Sequence, residues 1–181
     1  MTWLLILFVI APLRLVGQAA AKPGLPIIER YRVGTVVLGA DAQQVYEAFP
    51  RDRRQLVDLE LEGMLSPALL LNFAGTTRRD GVVAELAARQ NGLAVWRIEV
   101  RDPAFRTQKG IGVGSTVGEL RAAYRLGAVL SGEGNVVIRV DELSASFELD
   151  QTGPGGSRLW QVKTAEAIPD SVKIKSVLLT K

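Results

Sequence analysis

The chain has 181 residues, 48% of them hydrophobic and 23% charged, with a net charge of +3, a balance of globular domains and not of disordered or multi-span membrane chains. It contains neither histidine nor cysteine, which excludes Ser-His-Asp and Cys-His nucleophilic sites, His- or Cys-ligated zinc, iron-sulfur clusters, His-ligated haem and disulfides. Carboxylate, Lys, Ser, Thr and Tyr chemistry remains, and no spacing of these residue types specifies a reaction or calls for a cofactor.

The first element is an apolar run from Trp3 to Leu13, followed by Arg14, Leu15 to Gln18, and the small residues Ala19-Ala20-Ala21 before Lys22-Pro23. An apolar core ending in an A-x-A triplet is a secretory signal pattern, and the run is well short of the ~20 helical residues needed to cross a bilayer. Residues 1–21 therefore read as a signal peptide and residues 22–181 as a single exported domain, periplasmic or secreted. With no cysteine to lipidate, no stable membrane insertion is expected after cleavage.

The mature chain then reads as one unit written twice, over about residues 32–105 and 106–181. Leu38-Gly39 leads to Asp41, with Gln44 three places on. Val113-Gly114 leads to Thr116, with Glu119 three places on, at a constant offset of 75. Both have the capping spacing that satisfies the free N–H groups at a helix start. Val45 with Phe49, and Leu120 with Tyr124, then fall four apart on one helical face, so each segment predicts a short amphipathic helix launched from a glycine turn.

Four strand-like runs follow each helix. In the first half they are Leu56 to Leu61, Ala68 to Phe73, Val82 to Arg89 and Leu93 to Val100, the last two joined by a hairpin signal at Asn91-Gly92. In the second they are Val136 to Val140, Ser144 to Leu149, Leu159 to Thr164 and Val172 to Leu179, with a loop at residues 153–156 and a turn at Asp141-Glu142. The last strands match at an offset of 77. Successive strands with tight turns pair antiparallel, and alternation such as Trp96/Ile98/Val100 against Arg97/Glu99 gives a sheet with one wet face. The fold class is α+β: two tandem copies of short helix plus antiparallel strands, with the helices packed on one side of the sheet. Trp96 and Trp160 are expected in the packing between layers.

Gly110-Ile111-Gly112-Val113-Gly114-Ser115-Thr116 is the most distinctive run. It fits neither the dinucleotide fingerprint nor the P-loop, since Ser115 and Val117 stand where glycine is required and no Gly-Lys precedes Ser or Thr. A structural turn is the plainer reading. The functional alternative is an anion or small-ligand contact formed by Arg106, Lys109, Gly112, Gly114, Ser115 and Thr116, with Arg101 adding charge. Basic residues cluster at Arg51, Arg53 and Arg54 and at Arg78 and Arg79, but Asp52 and Asp80 interrupt both groups and no aromatics interleave, so no nucleic-acid partner is expected. Metal binding is not expected either, because no carboxylate spacing of a calcium loop occurs.

The segment from Phe105-Arg106-Thr107 through the glycine run to Glu119-Leu120-Arg121-Ala122-Ala123-Tyr124, with the Glu133-Gly134-Asn135 turn and Ser146-Phe147-Glu148-Leu149, resembles a group of uncharacterised exported bacterial proteins over most of residues 93–150. That resemblance implies no activity. More loosely, a glycine, a polar cap and a short helix before an antiparallel sheet, duplicated at this repeat length, is similar to the secreted β-lactamase-inhibitor proteins and to small lipoproteins of outer-membrane assembly. The chain departs from the former in having no cysteines and from the latter in having no lipidation site. The expected function is a non-enzymatic exported binding or interaction module of the bacterial envelope, using the sheet face or the groove between the two copies to contact an envelope protein or another envelope component whose identity the sequence does not specify. The alternative is a carrier of a small anionic ligand near Gly112 to Thr116.

Overall fold

In a computed structural model, residues 27–181 are described except Glu62, Gly75, residues 77–79, Glu133 and residues 154–155. Residues 1–21, read from the sequence as a signal peptide, and Arg78 and Arg79 lie outside the described residues.

Among the described residues the fold is mixed: two short helices and mostly sheet. A small antiparallel sheet comes first, with strands β1 (Ile28–Glu29), β2 (Arg32–Val33) and β3 (Val36–Val37). After helix α1 (Ala42–Ala48) come β4 (Arg54–Leu61), β5 (Met64–Leu71), β6 (Val82–Arg89) and β7 (Gly92–Val100). After helix α2 (Val117–Ala123) come β8 (Val129–Gly132), β9 (Asn135–Val140), β10 (Ala145–Leu149) and β11 (Ile174–Thr180). The last eight strands form one antiparallel sheet in the order β4-β5-β6-β7-β11-β10-β9-β8. Its centre is the β7–β11 pair, where Ile98 faces Leu179 and Val100 faces Val177.

Pairing register carries one apolar stripe straight across the sheet. Leu69, Ala84, Ile98, Leu179, Ala145 and Val140 are successive cross-strand partners, and none is more than 1% exposed. Partners share a face of the pleat, so this face is the core. Val45 and Phe49 from α1, Leu120 and Tyr124 from α2, and Ile28, Val33 and Val36 from the small sheet belong to the same buried cluster. Each helix starts where its sequence says. Asp41 accepts a hydrogen bond from Gln44 N at 3.0 Å. Thr116 and Glu119 form a reciprocal capping box, with Glu119 N donating to the threonine hydroxyl at 3.2 Å and Thr116 N to the carboxylate at 2.8 Å.

Three strand expectations need correction. Leu159 to Thr164 is not a strand: residues 156–161 form a 3-10 turn, from which Leu159 enters the core while Trp160 is 60% exposed. The fourth strand of the second half is instead β8, an edge strand. Trp96 is not layer packing either. The register slips between Glu85 and Leu86, leaving Trp96 as the unpaired residue of a bulge and 42% exposed. The β6–β7 turn is Gln90-Asn91, since Arg89 pairs with Gly92, and it is Gly92 that takes positive φ.

Candidate functional site

The glycine run is built against the chain segment that precedes it. Thr107 N donates to Ile111 O at 2.8 Å, and Ile111 N donates to the Thr107 hydroxyl at 3.2 Å, which folds residues 107–111 into a closed turn. Gly112 is buried directly behind it, so close to the Phe105 carbonyl that no side chain fits there. Arg106 lies along the same surface and donates from Nη1 to Val113 O and to Ser115 Oγ, both at 3.1 Å. Ser115 Oγ also accepts from Gly112 N at 3.3 Å. Gly114 has φ +83°, and its N–H donates to Ile174 O at 2.8 Å. Ile174 N returns a bond of 2.8 Å to Ser115 O.

The structure thus brings Arg106, Gly112 and Ser115 into one network, with Gly114 exposed beside it and the Thr116 hydroxyl turned to Glu119 N. Lys109 is not part of it. Its Nζ donates to Ala123 O at 3.1 Å, sits 3.1 Å from a Glu142 carboxylate oxygen, and lies over the Tyr124 ring at 4.2 Å. There it satisfies a carbonyl at the end of α2, where a cation is favoured by the helix dipole. Arg101 is held elsewhere too, 2.6 Å from Glu99 and 3.5 Å from Asp80. The donors expected to converge on an anion are engaged by groups of the protein itself.

Next to the turn runs an open groove of about 640 Å³, lined by Gly114, Asn135, Asp150, Thr152, Lys173 and Lys175 among others. Thr152 donates its hydroxyl at 2.6 Å and its backbone N–H at 2.9 Å to Asp150 Oδ1, and these bonds hold the Asp150 carboxyl below its ordinary range. Lys175 lies 2.7 Å from a Glu148 oxygen, and Ser176 donates to the other at 2.7 Å. A second open groove of about 480 Å³ lies beside Gly39 and Asp41, against the β6–β7 turn. Neither is an enclosed cavity.

Sequence reasoning missed one polar cluster. Tyr31 and Ser144 have φ +65° and +48°, the two positive values at non-glycine positions among the described residues. Arg30 Nε donates to Ser144 Oγ at 3.2 Å and its guanidinium lies 4.9 Å from the Tyr31 ring. Hydrogen bonding to Ser144 and then to Arg30 lowers the Tyr31 phenol below its ordinary range. No local pattern joins residues 113 positions apart, so no sequence signal pointed here.

No protein-family model matches the chain, and no curated protein sequence matches it. Among solved structures, it is similar to the uncharacterized protein YfeY from Escherichia coli, with a TM-score of 0.57 and 14% sequence identity over 86% of this chain and 99% of that one. At that identity the likeness is one of fold.

Proposed function

We propose that the chain is a non-enzymatic, exported binding module of the bacterial envelope that contacts its partner through the groove beside Gly114. The observation that carries this reading is the contrast between a sealed turn and an open groove. The turn's polar groups bond to one another. The groove, by contrast, exposes Asn135 and Lys173 beside the ends of β9 and β11, and Thr152 in the loop after β10. Open grooves of this kind suit a protein surface better than a small molecule, which is usually enclosed over most of its area. Export rests on the apolar run ending at Ala21. Among the described residues, no helix is long and apolar enough to cross a membrane.

The scaffold in this reading is a duplication, with both helices on one side of the sheet. Gly39 N donates to Val95 O and Val95 N to Ala40 O, as Gly114 N does to Ile174 O and Ile174 N to Ser115 O. In this reading the equivalent bonds give an offset of 75 for the turns and 79 for the last strands, where apolar positions alone read 77. The same offset of 79 relates Trp96 to Lys175, each the unpaired residue of a bulge, opposite the buried Glu85 in one half and Glu148 in the other. The strand order is its own mirror about β7–β11, as a twofold relation between two halves requires. Val45, Phe49, Leu120 and Tyr124 all reach one core, which supports helices on a single face.

A photo-crosslinking residue at Thr152, in protein incubated with envelope extract, should capture a discrete partner that the same residue at the exposed Leu65, on β5 near the far edge of the sheet, does not. Equal capture at both positions would remove the groove assignment. In the anion-carrier alternative, Arg106 leaves Val113 O and Ser115 Oγ for a ligand at Gly112 to Thr116. That reading takes first place if millimolar phosphate or sulfate raises the melting temperature of the parent protein and not of Arg106→Ala.

A further inference from the structure

The sheet ends on one side in β4, an edge that is neither shortened nor bulged and whose charges are sorted by sign along its length. It is eight residues long and pairs with β5 at eight consecutive positions without a bulge, and it contains no proline or lysine. Natural edge strands of this length are ordinarily shortened, bulged, charged with lysine or covered. Leu56, midway along it, is 59% exposed.

The direction of its unused backbone groups follows from the ladder. Asn72 N donates to Arg53 O at 2.9 Å, so that pair is a hydrogen-bonded one, and alternation places the bonded positions of β4 at residues 55, 57, 59 and 61. The N–H and C=O groups of Arg54, Leu56, Asp58 and Glu60 consequently point away from β5 into the empty edge. Charge is distributed unevenly along the same strand. Arg51, Arg53 and Arg54 stand at its start, and Asp58 and Glu60 near its end. Among the described residues neither of these exposed acids has a hydrogen-bond or ion-pair partner. Arg54 lies over the Tyr46 ring and donates Nη1 to the Tyr46 carbonyl, while its Nε is buried without an acceptor.

A strand that is basic at one end and acidic at the other is complementary to itself when antiparallel. We propose that β4 is a homodimer interface, paired antiparallel with β4 of a second copy about a twofold axis at Val57. This register sets Arg54 opposite Glu60 of the second copy, so that opposite charges face each other across the seam. It joins Leu56 to Asp58 and Arg54 to Glu60 through their outward backbone groups. It also places Val57 against its own counterpart at a position that is not hydrogen-bonded, where Cβ atoms lie about 4.5–5.5 Å apart. The two sheets become one, and Leu56 is covered.

The absence of cysteine makes the test direct. Val57→Cys is the sole thiol of its chain, sits on the axis and is close to disulfide geometry. Leu59→Cys, opposite Gln55 of the second copy, lies two residues off the axis and far from its own counterpart. Under mild oxidation Val57→Cys should convert mostly to covalent dimer and Leu59→Cys should stay monomeric. By sedimentation the parent should dimerise reversibly. Asp58→Pro should be a monomer with an unchanged circular-dichroism spectrum, because the N–H it loses faces the edge and not β5. A parent that is monomeric at hundreds of micromolar overturns the proposal. So do equal crosslinking at 57 and 59, a dimer untouched by Asp58→Pro, or open-ended polymers, which would indicate β4 pairing with β8 of the next copy.

Discussion

Gly112→Ala isolates the packing of the glycine run from any ligand role. A methyl group there would overlap the Phe105 carbonyl oxygen and stand 3.1 Å from both Cδ and Nη1 of Arg106. The arginine could swing away, but the carbonyl could not. Phe105 is fully buried, with its ring edge-on to Phe73 at 5.3 Å. Its neighbour Arg106 accepts from Ile28 N at 2.9 Å through the backbone carbonyl, and Thr107 N is tied to Ile111 O. Relief therefore requires moving the turn, which breaks the bonds from Arg106 and Gly112 N to Ser115. Overpacking costs about 1–3 kcal/mol, and a buried donor left without its acceptor about 1–3 more. The expected loss is about 3 kcal/mol or greater, a fall of roughly 6–12 °C in melting temperature for a domain of this size. Gly114→Ala supplies the contrast. Its φ of +83° is strained for alanine, but nothing lies within 4 Å of the added carbon, so the cost should be about 1–2 kcal/mol. Urea unfolding followed by circular dichroism measures both. If Gly112→Ala is within about 0.5 kcal/mol of the parent, or costs less than Gly114→Ala, the turn is not packed as described.

Thr116→Ala removes one arm of the capping box and should cost about 0.5–2 kcal/mol in the same urea titration, whereas Glu119→Gln, which keeps an acceptor for Thr116 N, should cost less. Because the Thr152 hydrogen bonds lower the Asp150 carboxyl, the stability they contribute is present in full above the ordinary carboxylate range of about 3.9 and is lost as pH falls through the lower folded value. The gap between parent and Asp150→Asn should thus narrow as pH drops below about 4, and it will be small at neutral pH because the group is solvent-exposed; a gap that widens in acid contradicts the assignment. Protein recovered from its native host should begin at Lys22 or within a few residues of it by N-terminal sequencing, and intact Met1 in the soluble cytoplasm would remove the export reading.

What could be read in the sequence is what short-range chemistry determines. Asp41 and Thr116 launch α1 and α2 because a cap, a glycine and an apolar pair four apart act within one or two turns of chain. Of the four strands of eight or nine residues, β4, β6 and β7 announced themselves by composition and by the Asn91-Gly92 signal between the last two, and β5 only over its second half. The small sheet did not: two-residue strands have no period, and Ile28 is placed by a bridge to Thr107, far along the chain. The reading at Leu159 to Thr164 failed because alternation alone does not separate a strand from a 3-10 turn that buries one apolar residue and leaves Trp160 in solvent. β8 was missed for the converse reason, since an edge strand with Leu130 half-exposed carries little apolar signal. The candidate site shows the same division more sharply. Its residue types were visible, yet whether Arg106 and Ser115 face a ligand or each other depends on where the Phe105 carbonyl passes behind Gly112. In a glycine-rich turn, lack of a side chain serves equally well to admit a phosphate or to admit the protein's own backbone. Here the backbone occupies the space, and the groove beside it is what stays open.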